Sequence, residues 1–390
     1  MCNPGECYVC GRLVANAHPF YDQLCKECGE FNWTKRHSSA DLSGYTALVT
    51  GGRLKIGFET AVRLLRWGAR VIVTTRFVND ARARFSRQPD AKLWDERLSI
   101  LAADFRVPVL VEELVRSIRE EGNQIDILIN NAAQTVRKPP VFYRHLIEAD
   151  DISKGLAHQD ELLTAPRHML CGRHDSAEMQ NPRQELVKNA HEIALLSQIQ
   201  LHPDDSESDP KSFPYGCLDE DGQQEDGRSF NSWMMKLDEV HLIELLEVLY
   251  INIVAPFLLC RGLRSVMRKE TGERPSFIVN VTAMEGNFYN PQKNWRHPHT
   301  NIAKAALNMM TRTSASDFRE DRIFMTSVDP GWITDEKPQS FHGFPSASKR
   351  KMAIDQIDGA ARVCDPVFLA VKEANYAFGV LFKNYKPYPW

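Results

Sequence analysis

The chain has 390 residues, 43% hydrophobic and 25% charged, with a formal charge of -3. This size and balance suit one large α/β domain with additions, able to bury a sizeable core, and give no reason to expect nucleic acid or an anionic membrane as a partner. No apolar run approaches the roughly 20 residues that span a bilayer, and Met1-Cys2-Asn3-Pro4-Gly5-Glu6 has neither a basic start nor an apolar stretch, so a cytoplasmic protein is expected.

In chain order, the first feature is Cys7-Tyr8-Val9-Cys10-Gly11, followed by Cys25-Lys26-Glu27-Cys28-Gly29, with 14 residues between the pairs. That spacing lets Cys7, Cys10, Cys25 and Cys28 converge on one Zn²⁺. The glycine after each pair lets the backbone turn its amides toward the sulfurs. A closed four-thiolate shell has no open position, which predicts a structural zinc in a module over residues 1–40. His18 and His37 stand near as substitute ligands. The module carries few basic residues, so packing onto the main domain or docking a protein partner is expected rather than nucleic-acid binding. Cys2, Cys171, Cys217, Cys260 and Cys364 are scattered, as small apolar core residues usually are.

From Leu42 the pattern changes. Tyr45–Thr50 predicts a buried strand running into Gly51-Gly52-Arg53-Leu54-Lys55-Ile56-Gly57, then an amphipathic helix over 58–67 and a second strand over 71–75. Strand, glycine turn, helix and strand within about 30 residues make a dinucleotide-binding unit whose helix N-terminus receives a pyrophosphate. Further strands are expected over 98–105, 125–130, 276–281, 324–329 and 376–382, with a helix over 357–368. Charge at the end of the second strand favours NADP(H) over NAD(H): Thr75-Arg76, with Arg53 in the turn, offers guanidinium groups to a 2′-phosphate where an acid would bind a ribose hydroxyl. Arg82, Arg84 and Arg87 read as a solvated helix side.

These segments resemble the short-chain dehydrogenase/reductase family. Thr50, Gly51 and Gly57 match its Thr-Gly-x-x-x-Gly-x-Gly turn, with Lys55 at the middle glycine. Asp104, Asn130-Asn131-Ala132-Ala133, Asn252, the lysine Lys304 and the turn Pro330-Gly331-Trp332-Ile333-Thr334 follow in the family's order. The resemblance covers about residues 42–136 and 230–390. It implies an α/β fold, a doubly wound parallel sheet (Rossmann fold), over 41–390. It also implies a cofactor, NADP or NAD, held by Thr50, Gly51, Arg53, Ile56, Gly57, Arg76, Asp104, Asn131, Ala132, Lys304, Pro330, Gly331, Ile333 and Thr334.

Asn131 and Asn252 are 121 positions apart, several times the family's separation. The excess forms an insertion over 137–229, with helices expected near His145–Glu148 and over Glu185–Leu196. Its acidic stretches, 204–209 and 219–226, read as a surface loop. The insertion starts where such sheets bind ligands, so a lid, a partner surface and a passive excursion all stay open. The chain shows no internal repeat.

The catalytic segment departs from the family. Thr300 stands at its tyrosine, four residues before Lys304, and Ala283 at its serine, with Thr282 beside it retaining a hydroxyl. The resemblance then implies Asn252, Lys304, Thr300, Thr282 and His299 as the catalytic set. His299, His297, Tyr289 and Glu285 are the alternative proton carriers. A literal Tyr289-x-x-x-Lys293 is broken as a helix by Pro291. Two readings follow: an atypical NAD(P)-dependent oxidoreductase acting on a small carbonyl or alcohol, or a cofactor-binding pseudoenzyme that recruits a protein partner through the module and insertion. Homo-oligomers are common in the family and stay open here.

Overall fold

The computed structural model describes residues 5–122, 124–154, 190–202, 205, 211–290, 293–338 and 352–390. Cys2, Cys171, Pro291, residues 185–189 of the expected insertion helix and most of the acidic run 204–209 lie outside the described residues.

Strands β1 (Thr46–Thr50), β2 (Arg70–Thr75), β3 (Leu98–Ala102), β4 (Ile127–Asn130), β5 (Ser276–Val281), β6 (Ile323–Asp329) and β7 (Leu381–Lys383) form a parallel sheet in the order β3-β2-β1-β4-β5-β6-β7. β8 (Lys386–Tyr388) adds an antiparallel edge to β7. The apolar runs Ala47-Leu48-Val49, Ile127-Leu128-Ile129 and Phe277-Ile278-Val279 are buried throughout, as parallel strands are when helices cover both sides of the sheet. The strand order reverses between β1 and β4, so their carboxyl ends flank the crevice where such sheets take ligands.

The helices are α1 (Lys26–Arg36), α2 (Lys55–Arg66), α3 (Val78–Ser86), α4 (Pro108–Glu120), α5 (Pro140–Lys154), α6 (Ala190–Leu195), α7 (Leu242–Leu249), α8 (Ala255–Met267), α9 (Pro298–Glu320) and α10 (Gln356–Glu373). A π-helical turn, Tyr250–Val254, joins α7 to α8. The expectation of no apolar run of spanning length fails at this point. Leu242–Met267 is one helix of 26 residues, long and apolar enough by length and composition to cross a membrane. Its place in the fold accounts for that composition: Ala255, Leu259, Cys260, Leu263 and Met267 are buried in the main core, where α8 packs against α4.

The N-terminal module packs along α10. Tyr21 Oη donates to Asp358 at 2.6 Å, Arg36 grips Asp355 through two bonds of 2.6 and 2.9 Å, and Lys35 reaches Asp365 at 2.6 Å. Asp355 also caps α10 in a reciprocal capping box with Asp358, so the module clasps an already organised helix start.

The insertion leaves and returns at one place, where Arg228 donates to the carbonyl of Arg137 at 3.2 Å. Phe142, Tyr143, Leu146 and Ile147 of α5 pack with Phe213 on Phe77, just past β2. The described acidic segment 219–226 is held down rather than free: Gln223 and Gln224 are buried, and Asp226 pairs with Lys138 at 2.7 Å and Arg228 at 2.6 Å. Charge-assisted pairing to cations elsewhere in the chain overrides the tendency of an acidic run to stay solvated.

Candidate active site

The turn after β1 is built for close approach. A Cβ on Gly57 would lie 2.3 Å from the Gly51 carbonyl oxygen and 2.4 Å from Asn131 Nδ2, so only glycine fits. Lys55 adopts φ +52°, the left-handed backbone for which the family uses glycine, so the turn keeps its path despite the substitution. Thr50 Oγ1 accepts the amides of Asn131 and Ala132 at 2.9 and 3.0 Å, and Asn131 Nδ2 donates to the carbonyls of Thr50 and Gly51 at 3.0 and 3.2 Å. These two residues frame the turn. A cleft of about 380 Å³ runs past it, lined by Ile56, Arg76, Asp104, Ala132, Gln134 and Thr334 among others.

Past the carboxyl ends of β2 and β3 the expected residues have partners that the sequence did not suggest. Asp104 is buried and gripped by Arg106, with bonds of 3.0 Å from Nε and 2.5 Å from Nη2. Burial would raise its carboxyl, but the Arg106 charge outweighs burial and holds it below the ordinary value. Arg53 pairs with Asp80 at 2.7 Å and donates to Gln223 of the insertion at 2.7 Å. Arg76 lies over the rings of Phe77 and Tyr143, 5.4 and 4.5 Å from their centroids. Tyr143 is buried, which by itself would raise its phenol, yet Arg76, Arg106 and Lys138 together pull it below the ordinary value.

Four residues of the expected catalytic set assemble around the start of α9. Asn252, in the π turn, exchanges two hydrogen bonds with the backbone of Gln134, at 2.8 and 2.9 Å. Lys304 is buried and donates to the Val281 carbonyl at 2.9 Å. Burial pushes its ammonium down to about 8, with Glu285 and Asp329 opposing the shift. Thr300, one turn earlier on the same side of α9, lies 3.5 Å from the Thr135 carbonyl. Thr282 is buried, and its Oγ1 has no hydrogen-bond partner among the described residues. A Cβ on Gly286 would lie 2.5 Å from the Lys304 carbonyl carbon, so this glycine sets the approach of the β5 exit to α9.

The alternative proton carriers are placed differently. His299 is five residues from Lys304, roughly 140° around the helix, and its Nε2 lies 4.0 Å from Glu244 of α7. Burial lowers its imidazole. His297 stacks on Trp233 at 3.9 Å, and burial pushes it down to about 4. Tyr289 is 76% exposed. Glu285 is raised by burial, in the field of Asp329, Lys293 and Lys304. Sequence reading missed Arg106, Tyr143, Gln223 and Trp233; no local motif marks them.

In the module, the ligand atoms of Cys7, Cys10, Cys25 and Cys28 all lie within 4.8 Å of one another, with Cys10 and Cys25 Sγ 3.9 Å apart. Zinc–thiolate bonds of about 2.3 Å set tetrahedral edges of about 3.8 Å, so the donor set fits such an ion.

Comparison with known proteins gives two family profiles: short chain dehydrogenase over residues 45–150 and Enoyl-(Acyl carrier protein) reductase over 230–379, together about two-thirds of the chain. The uncharacterized protein R665 of Acanthamoeba polyphaga mimivirus is 29% identical over 379 residues, 94% of this chain and 72% of that protein. The 5-keto-D-gluconate 5-reductase of Escherichia coli is 33% identical over 100 residues, 25% of this chain and 37% of that enzyme. Among solved structures, a Pseudomonas aeruginosa RhlG/NADP complex superposes with a TM-score of 0.52 at 17% identity, covering 88% of this chain and 95% of that one. The NADPH-bound carbonyl reductase from chicken fatty liver gives 0.54 at 16%, covering 92% and 98%. At these identities the structural likeness speaks for the fold alone.

Proposed function

This chain belongs to the short-chain dehydrogenase/reductase family, and on that premise we propose that it is an oxidoreductase using NADP(H) on a small carbonyl or alcohol. One observation carries the reading: the glycine turn, the Asn131–Gln134 strand exit and Asn252 are joined along one crevice by the hydrogen bonds of Thr50, Asn131 and Asn252, and Thr300, one turn before Lys304, reaches the Thr135 carbonyl beside them. Arg76 at the end of β2 supports the phosphorylated cofactor, and the NADP(H) complexes of RhlG and the chicken enzyme are consistent with it. A structural zinc on the four cysteines completes the proposal.

When bound, NADPH supplies the hydride. The chain's task is to hold the acceptor and deliver a proton. Thr300 Oγ1 stands where the family has its acid, and Lys304 is the cation one turn away. With its ammonium near 8, Lys304 holds a proton at neutral pH and is a competent general acid. In this reading Thr300 donates to the developing alkoxide while Lys304 replaces the proton in one concerted relay. His299 faces α7, His297 at about 4 is neutral at pH 7, and Tyr289 is solvated, so the proposal assigns the proton to Thr300 and Lys304.

The test is NADPH oxidation over a panel of aldehydes, ketones and enones, with Lys304→Ala alongside. Turnover that Lys304→Ala abolishes supports the proposal. Tight NADPH binding with no turnover on any carbonyl would instead leave a cofactor-binding scaffold.

A further inference from the structure

The four-cysteine module reaches the turn after β6 through Tyr8. Tyr8, between Cys7 and Cys10, accepts the backbone N–H of Trp332 on its hydroxyl at 2.7 Å. Trp332 follows Gly331, which has φ +92°; a Cβ there would lie 3.0 Å from the Tyr8 hydroxyl and 2.5 Å from Ile354 Cδ1. Ile333, the next residue, packs in the same apolar cluster as Cys7, Tyr21, Leu24 and Cys25. The turn is tied inward as well, because Gly331 N–H donates to Asp329 at 2.9 Å and Asp329 lies in the field of Lys304.

The metal site fixes Tyr8 in turn. Its N–H donates to the Gln23 carbonyl at 3.0 Å, Gly11 closes back on Cys7 at 2.8 Å, and the Cys25 amide points at Cys7 Sγ at 3.3 Å. We propose that Tyr8 is a positioning residue through which the metal-bound module sets the Gly331–Ile333 turn, which the family resemblance sets against the nicotinamide, so that metal occupancy governs affinity for the nicotinamide half of the cofactor. The inference rests on the nucleotide reading above. Docking alone does not require this contact, since Tyr21, Lys35 and Arg36 already anchor the module to α10.

The experiment uses the full-length, zinc-loaded protein and Tyr8→Phe, with zinc content and melting temperature checked first. Dissociation constants are measured for NADPH and for 2′-phospho-ADP-ribose, which lacks nicotinamide. Loss of one hydrogen bond is expected to weaken NADPH about five-fold while 2′-phospho-ADP-ribose binds unchanged. Chelating the metal from the wild type should reproduce that selective loss, and the Trp332 amide should exchange hydrogen faster in Tyr8→Phe. Equal affinity of wild type and variant for NADPH, or equal loss for both compounds, overturns the inference and leaves the nucleotide reading intact. If the wild type binds neither compound, the nucleotide reading falls and takes the inference with it.

Discussion

Lys304 hands a hydrogen bond to the carbonyl of Val281, at 2.9 Å, from a position with 7% of its surface exposed. A buried ammonium held near 8 is a liability for folding. Between about pH 8 and the unfolded value of about 10.4, the unfolded chain holds a proton that the folded chain lacks. The penalty is therefore complete below pH 8 and fades as pH rises through that window. Lys304→Met is expected to be more stable than the wild type at pH 7, by about 1–3 kcal/mol, and to lose most of that gain by pH 10. Urea melts at the two pH values decide it; a variant less stable at both would place the lysine among the stabilising residues.

Gly286 is held against the backbone of α9. Gly286→Ala would drive a methyl group to 2.5 Å from the Lys304 carbonyl carbon, where backbone must move. A loss of about 1–3 kcal/mol is expected, with weaker NADPH binding because Lys304 shifts with its helix. Gly286 does not have positive φ, so backbone strain adds nothing to that loss. A Gly286→Ala variant as stable as the wild type would sink the packing explanation.

Lys55 already follows the left-handed path that glycine gives. In Lys55→Gly the relief of that conformation and the greater freedom of the unfolded chain offset each other, so stability should change by less than about 1 kcal/mol. NADPH should bind at least as tightly as to the wild type, since the backbone amides do the holding. A ten-fold loss of affinity on titration would show that the ammonium itself grips the phosphates.

Arg53 and Arg76 are predicted to separate. Arg53 is taken up by Asp80 and Gln223, whereas Arg76 lies over two rings and forms no ion pair among the described residues. Arg76→Ala should weaken NADPH about ten-fold or more while NADH binds unchanged. Arg53→Ala should chiefly lower stability, by leaving Asp80 and Gln223 without it. Fluorescence titration with both nucleotides checks the assignment, and a larger NADPH loss for Arg53→Ala would reverse it.

Much of this was legible in the sequence because it is local. Apolar runs such as Ile127-Leu128-Ile129 mark strands buried on both sides, and the spacing of Gly51, Gly57 and the four cysteines reports turns and ligand geometry within a few residues. What escaped is set by partners far apart in the chain. Asn130 bonds Asn280, Asn280 bonds Thr311, and Ser327 bonds Thr311, each at 2.8 Å, a buried ladder through β4, β5, α9 and β6 that no local pattern encodes. Tyr143 meets Arg76 only because α5 folds back over β2, and the helix carrying Asn252 and Glu244 reads as apolar although its polar residues face inward. The short β8 edge, with Pro387 inside it, lacks the alternation that would reveal a strand.

The bond between Arg228 and Arg137 has a consequence for how the chain folds. Because the insertion's ends meet, the core closes around β4 and α7 whatever the length between them. Closing entropy grows only with the logarithm of loop length, by about 0.6 kcal/mol per doubling. An insertion of this length therefore adds little to the cost of bringing β4 and α7 together.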